Sequence, residues 1–264
     1  MSSLKGYGHT FDTVSYEYDK FRPGYAGEVY DSIFEYVNVD HTSKVLEIGS
    51  GSGQATAPVL DRGCFFTSVE PGKNFAEILT GKFGNNERFS IVNEKFEDAV
   101  LKENTYDLVY AATSFHWIEE KAGYEKVFSI LKEGGAFARF RNHPFVSKED
   151  PLLAERTDDI YDEYYNKYYN IKRTPRTEYS VNQAKELAFV AEKYGFSDIK
   201  YHLFHRKRVF TSDEYISLLG TYSDHIAIRE DIRHEFFAKI KDAIDDSGGM
   251  ITISDTIDLQ LARK

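Results

Sequence analysis

The chain has 264 residues and a formal net charge of −10, which disfavours nucleic acid or an anionic membrane as an electrostatically driven partner, because both require a surplus of Lys and Arg. A single cysteine, Cys64, excludes an internal disulfide, and no charged-then-apolar leader or long apolar span occurs, so a cytoplasmic protein is expected. The length suits one α/β domain over residues 1–264 with an elaborated cap.

In chain order, residues 1–25 are polar and Tyr-rich with Pro23-Gly24, which predicts an irregular N-terminal arm leading into a helix over 26–37. Strands are predicted at 44–48, 65–69, 89–93, 106–111 and 135–141, separated by helical stretches. Such alternation gives a parallel, doubly wound sheet whose ligands bind beyond the carboxyl ends of the strands, where Glu47, Glu70, Phe96 and Ala112 fall. After Asn142 the pattern changes, and 143–180 and 211–246 are expected to be helical cap insertions. A helix over 187–195 ended by glycine, a strand over 199–210, helices over 213–219 and 228–245, and a strand over 250–262 complete the chain.

The stretch Val45-Leu46-Glu47-Ile48-Gly49-Ser50-Gly51-Ser52-Gly53 carries most of the chemistry. An apolar run entering an acid and three alternating glycines predicts a buried strand turning sharply onto a helix. Gly49, Gly51 and Gly53 are free to take positive φ, so a ligand can lie directly against the main chain. The carboxylate of Glu47 would repel phosphate and suits a cationic or hydroxyl-bearing ligand. Glu70 ends the next strand at about the 20-residue spacing at which an acid accepts hydrogen bonds from ribose hydroxyls. Gln54 stands where the dinucleotide fingerprint G-x-G-x-x-G needs its last glycine, so the pyrophosphate signature is incomplete.

With Tyr106-Asp107-Leu108-Val109-Tyr110 and Leu131-Lys132-Glu133-Gly134-Gly135 following in order, the region from Lys44 to Phe140 resembles the class I S-adenosylmethionine-dependent methyltransferases. Ser114-Phe115-His116-Trp117 and Tyr18-Asp19-Lys20-Phe21-Arg22-Pro23-Gly24-Tyr25 are similar to the branch that includes trans-aconitate methyltransferase-like enzymes. The resemblance implies a Rossmann-like, seven-stranded, mainly parallel sheet with an antiparallel last strand inserted beside the fifth. It implies S-adenosylmethionine as cofactor, S-adenosylhomocysteine as product, and a small-molecule methyl acceptor, with no metal, nucleic acid or membrane involved.

Residue by residue, the resemblance places the cofactor's amino-acid end at Gly49, Ser50, Gly51 and Gly53, its ammonium at Glu47 and its ribose diol at Glu70 beside Pro71. Adenine would meet Phe96 and Glu97, although Lys95 stands where the family has an acid. Ala112 and Thr113 would complete the rim, and Tyr18 and Arg22 would close over it. His116 is the candidate base for acceptors that must lose a proton; the competing reading is a packing or capping histidine. Tyr25, Trp117, Arg141 and Arg173 are the acceptor-binding candidates, arginines suiting a carboxylate acceptor. The cluster Tyr161, Tyr164, Tyr165, Tyr168 and Tyr169 with Arg173 and Arg176 suits either a substrate lid or, more simply, an amphipathic helix burying its rings. Two other functions stay open: a non-catalytic S-adenosylmethionine-binding regulator, and an NAD-dependent oxidoreductase using Glu70 on the adenosine ribose.

Overall fold

The computed structural model describes residues 12–146, 150–174 and 177–264. The seven strands are β1 (Lys44–Ile48), β2 (Phe65–Val69), β3 (Phe89–Val92), β4 (Tyr106–Ala112), β5 (Leu131–Val146), β6 (Ser197–Thr211) and β7 (Met250–Arg263). They form one sheet in the order β3-β2-β1-β4-β5-β7-β6. The first five run parallel, with Ile48 beside Val69, Val69 beside Val92, Glu47 beside Tyr110 and Ala112 beside Phe140. This register carries the ends of β1, β2 and β4 to one rim. β7 is inserted between β5 and β6 and runs antiparallel, as the resemblance implied. The Lys264 N–H donates to the Gly135 carbonyl at 3.0 Å, and the Gly134 N–H donates to the Lys264 carbonyl at 3.2 Å.

Residues 23–142, 179–204 and 257–264 form one compact unit, which holds the parallel strands. Alternate residues of its strands feed two apolar layers. Val45, Phe66, Leu108 and Tyr110 pack with Val29 and Ile33 of α2 (Gly27–Tyr36) and Val59 of α3 (Thr56–Leu60), while Leu46, Ile48, Val109 and Phe137 pack with Tyr124, Val127 and Ile130 of α5 (Glu120–Ile130). Burial on both faces explains the near-continuous apolar runs of β1 and β4. β5 starts four residues before the expected Gly135 and extends beyond Arg141. Leu131 already pairs with Tyr106, and a register shift follows before Leu108 meets Ala136. The polar Lys132-Glu133-Gly134 run masks that start in the sequence.

The other unit comprises 1–22, 143–178 and 205–256, so far as these are described. Its helices are α6 (Pro151–Tyr161), continued by one π-helical turn over Asp162–Asn166, then α8 (Ser212–Leu219), α9 (Ser223–Ile226) and α10 (Glu230–Asp246); α7 (Val181–Phe189) belongs to the sheet unit. Asp150 caps α6 by accepting from the Leu153 N–H at 2.9 Å, and Pro151 fills the first helical position, where its missing N–H costs nothing. Leu153, Leu218, Leu219, Phe236, Ile240 and Ile244 make its core. Tyr161 and Tyr164 set their rings 5.0 and 5.9 Å from Phe236, and Tyr165 and Tyr169 also pack on this core. The tyrosine run therefore buries ring faces of an amphipathic helix, the simpler of the two readings. Arg176 lies outside the described residues.

The arm departs from expectation. Ser15–Phe21 form a helix, α1, which lies against α8 within the second unit. Seven residues carry too short a period to read in the sequence. A long-range anchor holds the segment after it: Arg22 donates from Nε to Thr221 Oγ1 at 2.9 Å and from Nη2 to the Thr221 carbonyl at 3.0 Å.

Candidate active site

The glycine turn is left-handed at all three glycines, with φ of 66° at Gly49, 54° at Gly51 and 88° at Gly53. Space constrains Gly49 as strongly as φ does, because a Cβ there would stand 2.6 Å from the Ser114 Cβ. Ser114 also donates its hydroxyl to the Ile48 carbonyl, which ties the end of β4 to the start of the turn. The helix after the turn begins only at Thr56, two residues beyond Gln54, so the main-chain groups next to the strand end belong to the loop itself rather than to a helix N-terminus. Lys82, from α4 (Lys73–Phe83), holds the loop from behind by donating to the Ser52 carbonyl at 2.8 Å.

Two acids end adjacent strands at this rim. Glu70 is buried, and its carboxylate accepts from the Gly51 N–H and the Gly72 N–H, each at 2.8 Å. Charge-assisted bonds from two main-chain donors fix its orientation. Each carboxylate oxygen keeps further lone-pair capacity, so Glu70 can still accept from a hydroxyl pair. Asn93 donates to the Glu70 carbonyl at 2.7 Å and locks β2 to the loop after β3. Pro71, the next residue, is exposed.

Glu47 is only 1% exposed. Its Oε2 accepts from the Thr56 hydroxyl at 2.5 Å, while Oε1 is buried without a hydrogen-bond partner. Burial pushes its pKa up to about 7; the hydroxyls of Thr56, Ser50 and Tyr110 oppose that rise, and the neighbouring charge of Glu70 adds to it. A lone, desolvated carboxylate oxygen is costly unless a cation or donor meets it. Ser50 is itself anchored, accepting from the Ser68 hydroxyl at 2.7 Å.

The loop after β3 carries the adenine candidates. Phe96 is buried, with its ring in the layer that contains Val69 and Leu46. Lys126 of α5 donates to the Glu97 and Ala99 carbonyls at 2.9 and 2.7 Å and lies 5.2 Å above the Phe96 ring. Among the described residues no protein acceptor takes the Phe96 N–H. The side chain of Glu97 is exposed.

Beyond β4, Ala112 is half-buried and Thr113 takes φ of 56°, which is strained for a β-branched residue. A hydrogen bond of 2.7 Å between the Thr113 and Tyr25 hydroxyls, and the Thr113 N–H donating to Phe140 at 2.8 Å, hold it there. A single 3₁₀ turn, Phe115–Trp117, follows. Phe115 anchors it 5.0 Å from Phe137 and 5.1 Å from Tyr124, and His116 and Trp117 remain half-buried with their rings 4.8 Å apart.

Tyr25 packs edge-on to Phe140 at 4.7 Å, beside Arg141 at the end of β5. Arg141 keeps solvent access although surrounding protein and the like charge of Arg139 lower its pKa, with Asp258, Tyr179 and Tyr25 opposing. Asp258 is buried on β7 and accepts from Gln260, and the Tyr179 hydroxyl faces it. Asp258 and Tyr179 were missed in the sequence. Their signal is the polar alternation Asp258, Gln260 inside an otherwise apolar strand.

The structure thus brings Glu47, Gly49, Ser50, Gly51, Gly53, Glu70, Phe96, Ala112, Thr113, His116, Trp117, Tyr25 and Arg141 into the sheet unit. Tyr18, Arg22 and Arg173 belong to the other. There Arg173 is exposed and ion-paired with Asp159 at 2.7 Å, and Arg22 is engaged by Thr221.

Residues 46–138, running from β1 into β5, match the methyltransferase domain family. An uncharacterized methyltransferase of Schizosaccharomyces pombe is 22% identical over 246 residues, covering 90% of this chain and 88% of the relative. Among solved structures, a protein from Anaeromyxobacter dehalogenans provisionally described as a type II methyltransferase superposes with a TM-score of 0.64 at 18% identity, covering 92% of this chain and 98% of its own. The match over residues 46–138 and the shared fold make the chain similar to the S-adenosylmethionine-dependent methyltransferases. Phosphoethanolamine N-methyltransferase 2 of Haemonchus contortus, solved with phosphomonomethylethanolamine and S-adenosylhomocysteine, shares the fold with a TM-score of 0.58 at 13% identity, over 100% of this chain and 60% of that chain.

Proposed function

We propose that this chain is an S-adenosylmethionine-dependent methyltransferase that alkylates a small-molecule acceptor, with the cofactor held between the ends of β1 and β2 and the acceptor approaching past the ends of β4 and β5. The observation that carries the reading is the pair of acids flanking the left-handed glycine turn: Glu70 is oriented by two main-chain donors, and Glu47 keeps one buried oxygen without a partner. The residues fit the cofactor. Glu47 Oε1 would hold an ammonium group, Glu70 would hold a ribose diol, and the Phe96 N–H would meet an adenine nitrogen.

When bound, the cofactor supplies an activated methyl group on a sulfonium. The protein's task is therefore alignment and exclusion of water, and no covalent nucleophile is required. Gly49 and Gly51 present bare main chain to the ligand. The strained Thr113, clamped by Tyr25, sets the edge along which an acceptor is positioned. His116 takes a proton from acceptors that carry one on the attacking atom, and Arg141 balances an anionic group. The acidic chain supports a small molecule over nucleic acid, and among the described residues no helix is long and apolar enough to cross a membrane.

The test is incubation of purified protein with methyl-labelled cofactor and a fractionated metabolite extract. Label transferred to a low-mass product supports the reading. Cofactor that binds with no transfer to any fraction refutes it.

A further inference from the structure

The second unit contains an arginine cluster that the methyl-transfer site does not use. Asp255 of β7 is buried, and its carboxylate accepts from Arg206 Nε at 3.0 Å and from Arg208 Nε and Nη2, the latter at 2.8 Å. Arg208 is 15% exposed, and its third nitrogen, Nη1, is buried with no hydrogen-bond partner. Arg22 stacks its guanidinium 4.2 Å from the ring of Tyr222 and 5.0 Å from that of Tyr18. Thr221 takes Arg22 Nε and Nη2, which leaves Nη1 uncommitted among the described residues. The Tyr222 hydroxyl likewise finds no protein acceptor among them, while Arg22, Arg208, Asp255 and Asp224 all act on it electrostatically.

Arg206 and Arg208 both pair with the carboxylate of Asp255, while Asp224 is engaged by His225 and Tyr165. Two guanidiniums therefore converge on one carboxylate, and positive charge exceeds negative at this point. A buried guanidinium N–H without an acceptor costs more than a neutral donor would, and among the described residues no carboxylate meets these three donors. An oxyanion would satisfy all of them, because the guanidinium fork matches carboxylate and phosphate geometry and the phenol adds a third bond.

We propose that the second unit holds a binding site for an oxyanion, a carboxylate or phosphate group distinct from the cofactor, with Arg208 Nη1, Arg22 Nη1 and the Tyr222 hydroxyl as donors. The site is a property of this unit alone, independent of whether the chain transfers methyl groups. Arg22 is thereby assigned to this anion rather than to the cofactor.

Calorimetric titration of the full chain with inorganic phosphate and, separately, with citrate tests this, at constant ionic strength and without cofactor. Saturable binding of either is expected, and the stronger of the two identifies the class of anion. Tyr222→Phe keeps the ring and removes only the third donor, so it should weaken binding about five- to tenfold, the equivalent of one lost hydrogen bond. Arg22→Gln should weaken it further, with near-ultraviolet circular dichroism reporting the fold of both variants. Failure of both anions to bind, or unchanged affinity in both variants, overturns the proposal. Competition between the anion and S-adenosylmethionine also overturns it, since the donors would then serve the cofactor's own carboxylate. Loss of cofactor binding, measured in a parallel titration, bears on the proposed function and not on this site.

Discussion

Replacing Glu47 with Gln sets apo stability against ligand affinity and gives a prediction with a definite sign. The pKa of Glu47 is raised from 4.5 to about 7 by burial, so the folded state holds its proton over a window in which the unfolded state has lost it. Wild-type stability should therefore be greatest below pH 4.5, relative to an uncharged side chain, and fall as pH rises toward 7. At 1.36 kcal/mol per unit, the penalty of ionising this site is about 1 kcal/mol at pH 5 and about 3 kcal/mol at pH 8. Glu47→Gln carries no such penalty. Any cost of its extra amide group is the same at both pH values, so the variant should gain about 2 kcal/mol on wild type between pH 5 and pH 8. Urea denaturation followed by circular dichroism at the two pH values measures that difference. The same variant should bind S-adenosylmethionine more weakly by about 1.5–3 kcal/mol, because a charge-assisted bond to the ammonium is lost. Wild-type affinity should fall below pH 7 as Glu47 takes up its proton. A stability difference that does not change with pH would refute the account of Glu47 as a buried, partner-seeking acid.

Glu70→Ala should weaken the cofactor by about 1–3 kcal/mol in a binding titration, since it removes the proposed ribose acceptor and frees the Gly51 and Gly72 donors that shape the loop. His116→Gln should leave cofactor affinity unchanged while lowering turnover by about 10²–10⁴ with an acceptor that must lose a proton, and should flatten the acid limb of the pH–rate profile. Gly49→Ala should destabilise by about 1–3 kcal/mol in urea melts, since it combines positive φ with a Cβ 2.6 Å from Ser114. Gly81→Ala, within α4 with nothing within 4 Å of the new Cβ, should instead stabilise by about 0.5–1 kcal/mol.

The parallel half of the protein was legible before folding. Val45–Ile48 and Tyr106–Ala111 announce strands because burial on both faces demands unbroken apolar runs, and Gly49, Gly51 and Gly53 announce a turn because only glycine takes φ of 54–88° without strain. Glu47 and Glu70 were readable as rim residues for the same local reason: each follows directly from the strand that carries it.

What the sequence could not determine was partnership. Which oxygen of Glu47 would meet a close protein donor depended on Thr56 reaching Oε2, and that is decided by where a five-residue helix begins. Arg22 lies three residues from Tyr25, yet Thr221, 199 positions away, claims it, while Tyr25 turns to Thr113. Asp255 and Asp258 are three apart on one strand, and the first meets Arg206 and Arg208 while the second faces Tyr179 and Arg141. Backbone preferences act over a few residues and are written locally. The partner of a buried charge is chosen across the whole fold, by whichever distant side chain the packing brings within about 3 Å.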